Sequence, residues 1–377
     1  MLQNFFLKSR KEKIKRIDLA TYKELIWWKF KKHKLAMIGL SVLGVFILIG
    51  IFCEFLAPYT PQMRNVDYLS GPPMGIHFFI RDDHKLYISR PYCYGYVQKR
   101  DPDTLMLVAK IDKSKRYYIK FFVKGPEYKF WGIFTTNIHL FGVENGFIHI
   151  FGTDTLGRDL FSRCLYATRI SLSIGVVGVA FTFILGLIIG GLAGYIGGII
   201  DVIIMRVMEF IRSLPEIPIW LGLSAALPRT WSSLKVYFAI TLILSLLGWT
   251  YLARRVRSKL LSLREEDFVA AAKLAGCKRM RIIFRHLIPL FLSYIIVEIT
   301  ISFPWMILGE TSLSFLGLGL REPIVSWGVL LYSAQNVMTL SYMPWLLIPG
   351  IFVIVAVLAF NFVGDGLRDA ADPYSKV

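Results

Sequence analysis

The sequence predicts an all-α, polytopic membrane protein with a small β-rich domain inserted after its first transmembrane helix. The 377 residues are 55% hydrophobic and have a mean hydropathy of +0.53, too apolar for a soluble chain of this length. Several apolar stretches reach about 20 residues, the length that crosses a bilayer. Between the first two, residues 58–151 instead show period-two alternation, aromatic enrichment and turn signals, which indicate β-strands.

We place six transmembrane helices, and an even number puts both termini on the same side. They cover residues 35–57, 168–196, 199–226, 236–257, 288–312 and 341–364. The first begins too far into the chain for an ordinary signal peptide, so we interpret it as a retained helix. Lys and Arg concentrate at the membrane edges, and Arg368 and Lys376 follow the last helix. This distribution predicts cytosolic termini.

The domain organisation follows from these helices. It comprises a basic N-terminal segment 1–34, the first helix 35–57, the extracytoplasmic insert 58–151, a core 152–364 with a cytosolic loop 258–288, and a cytosolic tail 365–377. Segment 1–34 holds 11 Lys or Arg against 3 Asp or Glu, a net charge of +8. Its residues 21–34 pair Trp27 and Trp28 with a lysine cluster. They fit an interfacial helix, and the alternative is a disordered basic tail.

The insert 58–151 carries a net charge of +5, from 13 Lys or Arg and 8 Asp or Glu. Long translocated domains are exempt from the positive-inside rule, so this charge does not conflict with an external location. Strand-like runs occupy 105–111, 117–123 and 130–134. The aromatic residues of the insert form either a β core with a docking surface or a stacking surface for sugar or peptide.

Neither the cysteines nor the histidines follow a metal-binding spacing. Cys93 and Cys164 fall on the same predicted side, so one external disulfide is an open alternative. Four of the six histidines lie in the insert, but without the spacing of a zinc site. We predict packed or solvated histidines and no metal site. The net charge of +18 is divided among membrane edges rather than forming one surface, so we expect no nucleic-acid partner.

Residues 251–290 form a basic cytosolic loop, with 10 Lys or Arg and 3 Asp or Glu. Ser262 and Glu265 have the spacing of a capping box, and Gly276 is placed to end the helix. The face Phe268, Ala271, Ala272 and Ala275 has helical spacing. Because alanine has little affinity for lipid and lets another backbone approach closely, we predict a docking surface for a soluble protein; the alternative is a helix lying on the bilayer. The surface consists of Glu265, Glu266, Asp267, Phe268, Val269, Ala270, Ala271, Ala272, Lys273 and Gly276.

Acidic residues inside apolar stretches are candidates for a transport path, because charges in hydrocarbon usually face a bundle interior or water. Glu216 lies between Pro215 and Pro218, where we expect a break in the third helix that lines a cavity. Glu298 and Pro304 lie on the fifth helix, and Glu310 completes the set. The alternative for Glu209, Glu216 and Glu310 is a position near the membrane interface.

The cytosolic loop resembles the EAA loop of permeases of ATP-binding-cassette (ABC) importers, at Ala271, Ala272, Gly276 and Pro289, with Ala270 at the position of the motif's Glu. Further motifs resemble the second, C-type permease of the oligopeptide/dipeptide/nickel family. These are GTDTLGRD at 152–159, ETSLSFLGLG at 310–319, SWG at 326–328, and a C-terminal signature at 360–373. The long insert departs from the short external loop of that family.

This resemblance implies a type I permease fold in the inner membrane of a prokaryotic cell. It implies a second homologous permease, two cytosolic ATP-binding subunits that hold ATP and Mg, and an extracytoplasmic substrate-binding protein as partners. It also implies that residues 265–276 contact an ATP-binding subunit, and that the fifth helix with Glu298 and Pro304 lines the path. We expect no cofactor in the chain itself and no catalytic residue, since no G-x-x-x-x-G-K-[ST] motif occurs.

The expected cargo is an oligopeptide or dipeptide, with an oligosaccharide or nickel as alternatives. A different class of function, a membrane-anchored receptor that works through the insert, predicts no ATPase partner and tolerance of change at Gly276. An intramembrane hydrolase is not favoured, because the sequence has no HExxH or GxSxG constellation.

Overall fold

The computed structural model describes residues 21–82, 85–100, 107–228 and 230–371. Predictions for residues 1–20, His84, Asp372, Pro373 and Lys376 therefore lie outside the described part of the chain.

Most of the described chain is α-helical. The helices are α1 (Tyr22–Lys32), α2 (Lys34–Leu56), α3 (Leu160–Ile196), α4 (Gly198–Ser213), α5 (Glu216–Ala225), α6 (Ser233–Leu263), α7 (Asp267–Leu274), α8 (Leu292–Phe315), α9 (Trp327–Tyr332), α10 (Val337–Tyr342) and α11 (Ile348–Ala371). Residues 21–34, predicted as an interfacial helix, thus include the regular helix α1, with Trp27 and Trp28 exposed.

Five helical segments of the described chain are long and apolar enough to cross a membrane: Lys34–Leu56, Leu160–Ile196, Ser233–Leu263, Tyr294–Phe315 and Pro344–Ala371. They correspond to five of the six predicted helices. The predicted third helix, 199–226, is divided into α4 and α5 by extended backbone at Leu214 and Pro215. Proline lacks an amide hydrogen and disfavours helical backbone in the residue before it, which accounts for this break.

The bundle is organised around α3, which packs along α6 on one side and along α2 on the other. Helix α2 also packs against α11, and α8 joins α11 to α3. The contact between α3 and α6 depends on small residues: a Cβ added at Gly190 would lie 2.4 Å from the carbonyl oxygen of Ala253. The two backbones therefore approach more closely than any larger side chain would allow.

The insert between α2 and α3 is β-rich, as predicted. It contains an antiparallel sheet of β1 (His77–Asp82), β2 (Lys85–Arg100) and β3 (Leu107–Tyr118), in that order, and a separate hairpin of β4 (Lys120–Phe130) and β5 (Phe134–Gly142). A buried cluster supports the sheet: Tyr59, Tyr68, Met74, Cys93, Tyr96, Ile119 and Ile148. Several aromatic side chains of the insert thus form a core, while Tyr118 and Trp131 are exposed.

Two details of the predicted insert need correction. The run 130–134 is not one strand: Phe130 ends β4, Phe134 begins β5, and residues 131–133 form the turn between them, with Trp131 and Gly132 at positive φ. The run 117–123 is divided between β3 and β4 near Ile119. Aromatic residues are frequent in strands, so a run of them predicts a strand wherever it occurs. Aromatic enrichment therefore does not distinguish a strand from an exposed turn that is rich in aromatic residues.

Cys93 and Cys164 are both fully buried and are not joined by a disulfide. Burial raises the pKa of the Cys93 thiol to about 11. The thiol is therefore protonated and unreactive at neutral pH.

Candidate functional site

A cavity of about 240 Å³ lies among α3, α5, α6 and α8, with a mainly apolar lining that carries a few charged and polar side chains. Its lining includes the predicted residues Glu216 and Glu298, together with Tyr251 and Arg255. The break before α5 places Glu216 in the first turn of that helix, as expected from the flanking prolines. Two of the four predicted path residues therefore line one cavity.

The charged groups of this cavity are paired across helices. The Tyr251 hydroxyl donates to Glu216 Oε1 at 2.9 Å, and the Arg212 guanidinium lies 4.6 Å from the Tyr251 ring centroid. Arg255 of α6 forms an ion pair with Glu298 of α8. Each contact joins two different helices, so a relative movement of these helices would exchange or break the pairs.

Two buried donors of the cavity lining have no hydrogen-bond partner among the described residues, namely Trp220 Nε1 and Thr182 Oγ1. Buried polar groups are normally hydrogen-bonded, and an exception calls for an explanation. The Glu216 carboxylate and the Arg255–Glu298 ion pair give the cavity the chemistry to contact a polar, charged molecule.

Pro304 and Glu310 are located elsewhere. Pro304 is a buried residue within α8. The side chain of Glu310 is fully buried, and its Oε1 accepts hydrogen bonds from Ser314 Oγ at 2.7 Å and Ser326 Oγ at 2.5 Å. It therefore joins α8 to the N-cap of α9. Glu209, by contrast, pairs with Arg206 on the exposed surface of α4.

The second candidate site is the segment 265–276. Here the expected capping box is wrong, because Ser262 belongs to the last turn of α6 and the N-cap of α7 is Glu266. Helix α6 ends at Leu263, six residues beyond the predicted end of the fourth transmembrane helix at residue 257. The predicted end of α7 holds, since Gly276 adopts a φ of +73°, which favours glycine.

Helix α7 is attached to the bundle by one face. Val269 is fully buried, and Ala272 packs beside it, in a cluster with Leu260, Ile282 and Ile283. The Lys273 amine lies 5.8 Å from the centroid of the Tyr195 ring at the end of α3. Movement of α7 is therefore linked mechanically to α3 and α6.

The other face of α7 is open. The exposed residues of the helix are Asp267, Phe268, Ala270, Ala271, Lys273 and Leu274, followed by the exposed C-cap Ala275. Glu265 contacts only the neighbouring Arg264 by an ion pair, at 2.8 Å, and Glu266 and Asp267 form no ion pair within the described chain. The predicted docking face is thus exposed at Phe268, Ala271 and Ala275, but Ala272 faces the bundle.

The motif GTDTLGRD forms a buried charged cluster at the insert end of α3. Asp154 Oδ2 accepts from Arg158 Nε at 2.7 Å and from Arg163 Nη1 at 2.5 Å. Glu322 pairs with the same two arginines, at 2.6 and 2.7 Å. We call Asp154, Arg158, Arg163 and Glu322 the motif cluster. It fixes the loop before α9 to the start of α3.

The pKa of Glu322 reflects this arrangement. Burial on its own would raise the pKa of this carboxyl, but the hydrogen bond from Arg158 and the charges of Arg163 and Arg158 outweigh it and hold the pKa below its usual value. Both carboxylates of the motif cluster accept from arginines in the structure, and such charge-assisted bonds are stronger than neutral ones.

Sequence reasoning missed Arg163, Glu322, Tyr251 and Arg255 as partners of the predicted residues. Arg163 could have been found from the sequence, because it is a charged residue at the start of an apolar helix and such a residue usually has a partner. Arg255 was counted only as part of a basic membrane edge. In the described part of the chain, no group of three His, Cys, Asp or Glu side chains is arranged to hold a metal ion.

Membrane-spanning helices, a cavity between them that carries charged side chains, and an exposed helix on a connecting loop are features of a membrane transport permease. Residues 186–376 match the family described as binding-protein-dependent transport system inner membrane component. Residues 21–73 match the N-terminal transmembrane domain of oligopeptide transport permease C. The chain belongs to this family of permease subunits of ABC importers and is a multi-pass membrane protein.

Curated relatives share this architecture over nearly the whole chain. The dipeptide transport system permease protein of Bacillus subtilis (strain 168) is 40% identical over 362 residues, which are 96% of this chain and 88% of the relative. The oligopeptide transport system permease protein of the same organism is 36% identical over 363 residues, 96% of this chain and 92% of the relative.

Among solved structures, a chain of the MetNI methionine ABC transporter in an inward-facing conformation matches with a TM-score of 0.43 and 19% identity. The match covers 56% of this chain and 97% of that chain.

Proposed function

We propose that this chain is one of two permease subunits of an ATP-driven importer of dipeptides or oligopeptides. The observation that carries the proposal is the 40% identity to a dipeptide permease across 96% of the chain. The second relative, an oligopeptide permease, supports the same class of cargo. The partners are a homologous permease, two cytosolic ATP-binding subunits and an extracytoplasmic binding protein.

The segment 265–276 is the contact with an ATP-binding subunit. Its support is geometric: α7 buries Val269 against the bundle while Phe268 and Ala271 are exposed. A helix attached in this way transmits a push from a soluble partner to α3 and α6. ATP binding then favours one arrangement of the helices and hydrolysis restores the other, which is alternating access by differential stabilisation.

The cavity with Glu216 and Glu298 is this chain's share of the path. A peptide carries an amine, a carboxylate and backbone amides. The Arg255–Glu298 pair offers one charge to each end. The homologous permease completes the path from the opposite side.

The chemistry of ATP belongs to the partners. The sequence has no phosphate-binding loop, so ATP and Mg are held by the ATP-binding subunits and this chain performs no covalent step. Both termini and the segment 265–276 lie in the cytosol, because the basic residues flank those ends of the helices. The insert lies outside.

The test is purification of the tagged chain from its native membrane in mild detergent, followed by reconstitution into vesicles. Co-purification of a second permease and P-loop ATPases, with ATP-dependent uptake of labelled dipeptides or oligopeptides, is expected. Uptake of an oligosaccharide or of nickel in place of peptide would change the cargo but retain the importer. A chain that purifies with no ATPase would overturn the proposal in favour of a receptor.

A further inference from the structure

The β4–β5 hairpin is built differently from the rest of the insert. The three-stranded sheet packs on the buried aromatic cluster around Tyr68, whereas the hairpin extends along the end of α2. Its tip consists of Trp131, Gly132, Ile133 and Phe134, all exposed. An exposed apolar patch of this kind usually marks an interaction surface.

Specific contacts fix the hairpin to α2. The Trp131 indole N–H donates to the carbonyl oxygen of Ile51 at 3.0 Å, and its main-chain N–H donates to Glu54 Oε1 at 3.3 Å. The Arg169 guanidinium, paired with Glu54, lies 4.2 Å from the Trp131 ring centroid. Further back, the ring nitrogens of the buried His139 lie 2.5 Å from Ala57 O and 2.9 Å from Pro126 O.

These contacts set the depth of the tip. Helix α2 ends at Leu56, and Ile51 lies five residues earlier, about 7.5 Å down the helix at 1.5 Å per residue. Amphipathic segments that lie in the membrane interface bury their apolar side by about 5–10 Å. The tip therefore reaches a level that belongs to the bilayer.

The surface around the tip matches lipid. The exposed side chains of Ile47, Leu48 and Phe52 on α2 continue the apolar surface of the tip along a membrane-spanning helix. Above the tip, β4 presents exposed Lys124 and Lys129. An interfacial anchor typically places aromatic side chains below lysines. The lysine amines then lie at the level of the anionic headgroups.

The position of the hairpin within the fold favours lipid over the second permease. The cavity is lined by α3, α5, α6 and α8, and no residue of α2, β4 or β5 contributes to it among the described lining residues. If the homologous permease packs across that cavity, as the proposed function requires, the flank of α2 faces outward.

We propose that the β4–β5 hairpin inserts its tip, Trp131 to Phe134, into the lipid leaflet next to the insert and anchors the insert to the membrane surface. The occupant of this surface is the headgroup and upper acyl region of the bilayer. The hairpin thus fixes the height of the three-stranded sheet above the mouth of the permease.

The test uses an environment-sensitive fluorophore on Ile133→Cys in the co-purified complex, reconstituted in nanodiscs. Ile88→Cys is the matched control, because Ile88 on β2 is 87% exposed and Ile133 is 82% exposed. Both variants carry Cys277→Ser, since the other three cysteines are buried. Neither labelled site requires repacking, so the variants should fold like the parent.

We expect lipids with a shallow nitroxide to quench the probe at 133 several-fold more strongly than at 88, and iodide in the buffer to show the reverse order. Equal quenching of the two probes by iodide would place the tip in water and overturn the proposal. Shielding of position 133 from both quenchers would show that protein covers the tip, which also overturns it. Because the readout is depth and not transport, a failed anchor is distinguishable from a failed importer.

Discussion

The motif cluster and the acidic end of α7 contain similar residues but use them in opposite ways. In the motif cluster, Asp154 and Arg163 are almost completely buried and bonded to each other. In the segment 265–276, Glu266 and Asp267 are exposed and form no ion pair within the described chain. A charge that is buried and paired stabilises the fold, whereas an exposed and unpaired charge is available to another molecule.

The difference shows why similar charges have separate roles in one chain. Removing one partner from a buried pair leaves an uncompensated charge, which is far more costly than the loss of a surface pair. We therefore expect changes in the motif cluster to reduce stability, and changes in the segment 265–276 to reduce coupling while the fold persists.

The largest effect on stability is expected for Asp154→Ala. It removes the buried carboxylate that Arg158 and Arg163 share and leaves only the half-exposed Glu322 to pair with them; breaking a buried pair costs about 3–5 kcal/mol. Thermal unfolding in detergent should show a much lower midpoint and a lower folded yield. The control is Asp67→Ala, an exposed aspartate at the same end of the molecule, and a midpoint equal to that of the control would contradict the assignment.

Gly276→Asp should act on coupling instead. We expect normal membrane insertion and at least about tenfold lower ATP-driven uptake, because a carboxylate left unpaired in a protein interface costs more than about 1.4 kcal/mol. Uptake into vesicles measures the effect. Gly276→Ala is the control, since it introduces the same backbone strain at φ +73° without the charge, and a Cβ there meets no atom within 4 Å. Normal uptake by Gly276→Asp would remove the coupling role of the segment.

Phe268→Ala should weaken the association with the ATP-binding subunit by about 1–2 kcal/mol, as expected for an aromatic anchor in an interface. Titration of the ATPase onto the reconstituted permease measures it. Phe284→Ala is a matched control, because both side chains are 40% exposed and only Phe268 lies on α7. Equal losses for the two variants would show that the contact is not specific to α7.

The smallest effect concerns pH. Because the pKa of Glu322 is lowered in the fold, its contribution to stability is complete above the pKa of an unfolded glutamate and is lost as pH falls through the folded pKa. Its side chain is 45% exposed, so the contribution is below about 1 kcal/mol after solvent screening.

Glu322→Gln should lower the unfolding midpoint slightly at neutral pH and remove that part of the acid sensitivity. Thermal unfolding of both proteins between neutral pH and mildly acidic pH checks the difference. Parallel pH curves would mean that the pairing of Glu322 with the two arginines contributes nothing.

The sequence predicted the helical bundle, the β-rich insert and the break before Glu216, because hydropathy, strand alternation and proline act over short distances. It also predicted the end of α7, because glycine favours a positive φ there. It did not separate Glu216 and Glu298 from Glu310. All three are acids in apolar segments, and only the packing of α5 and α8 decides which of them faces the cavity.

The sequence by itself determined the family, the approximate position of five long helices, and the segment that carries the exposed helix α7, since each depends on residues close in the chain. The tertiary structure decided which charges pair. Arg163 meets Glu322 across 159 residues, and Trp131 meets Ile51 across 80. Contacts of that separation follow from the packing of whole helices and hairpins, which local periodicity does not specify.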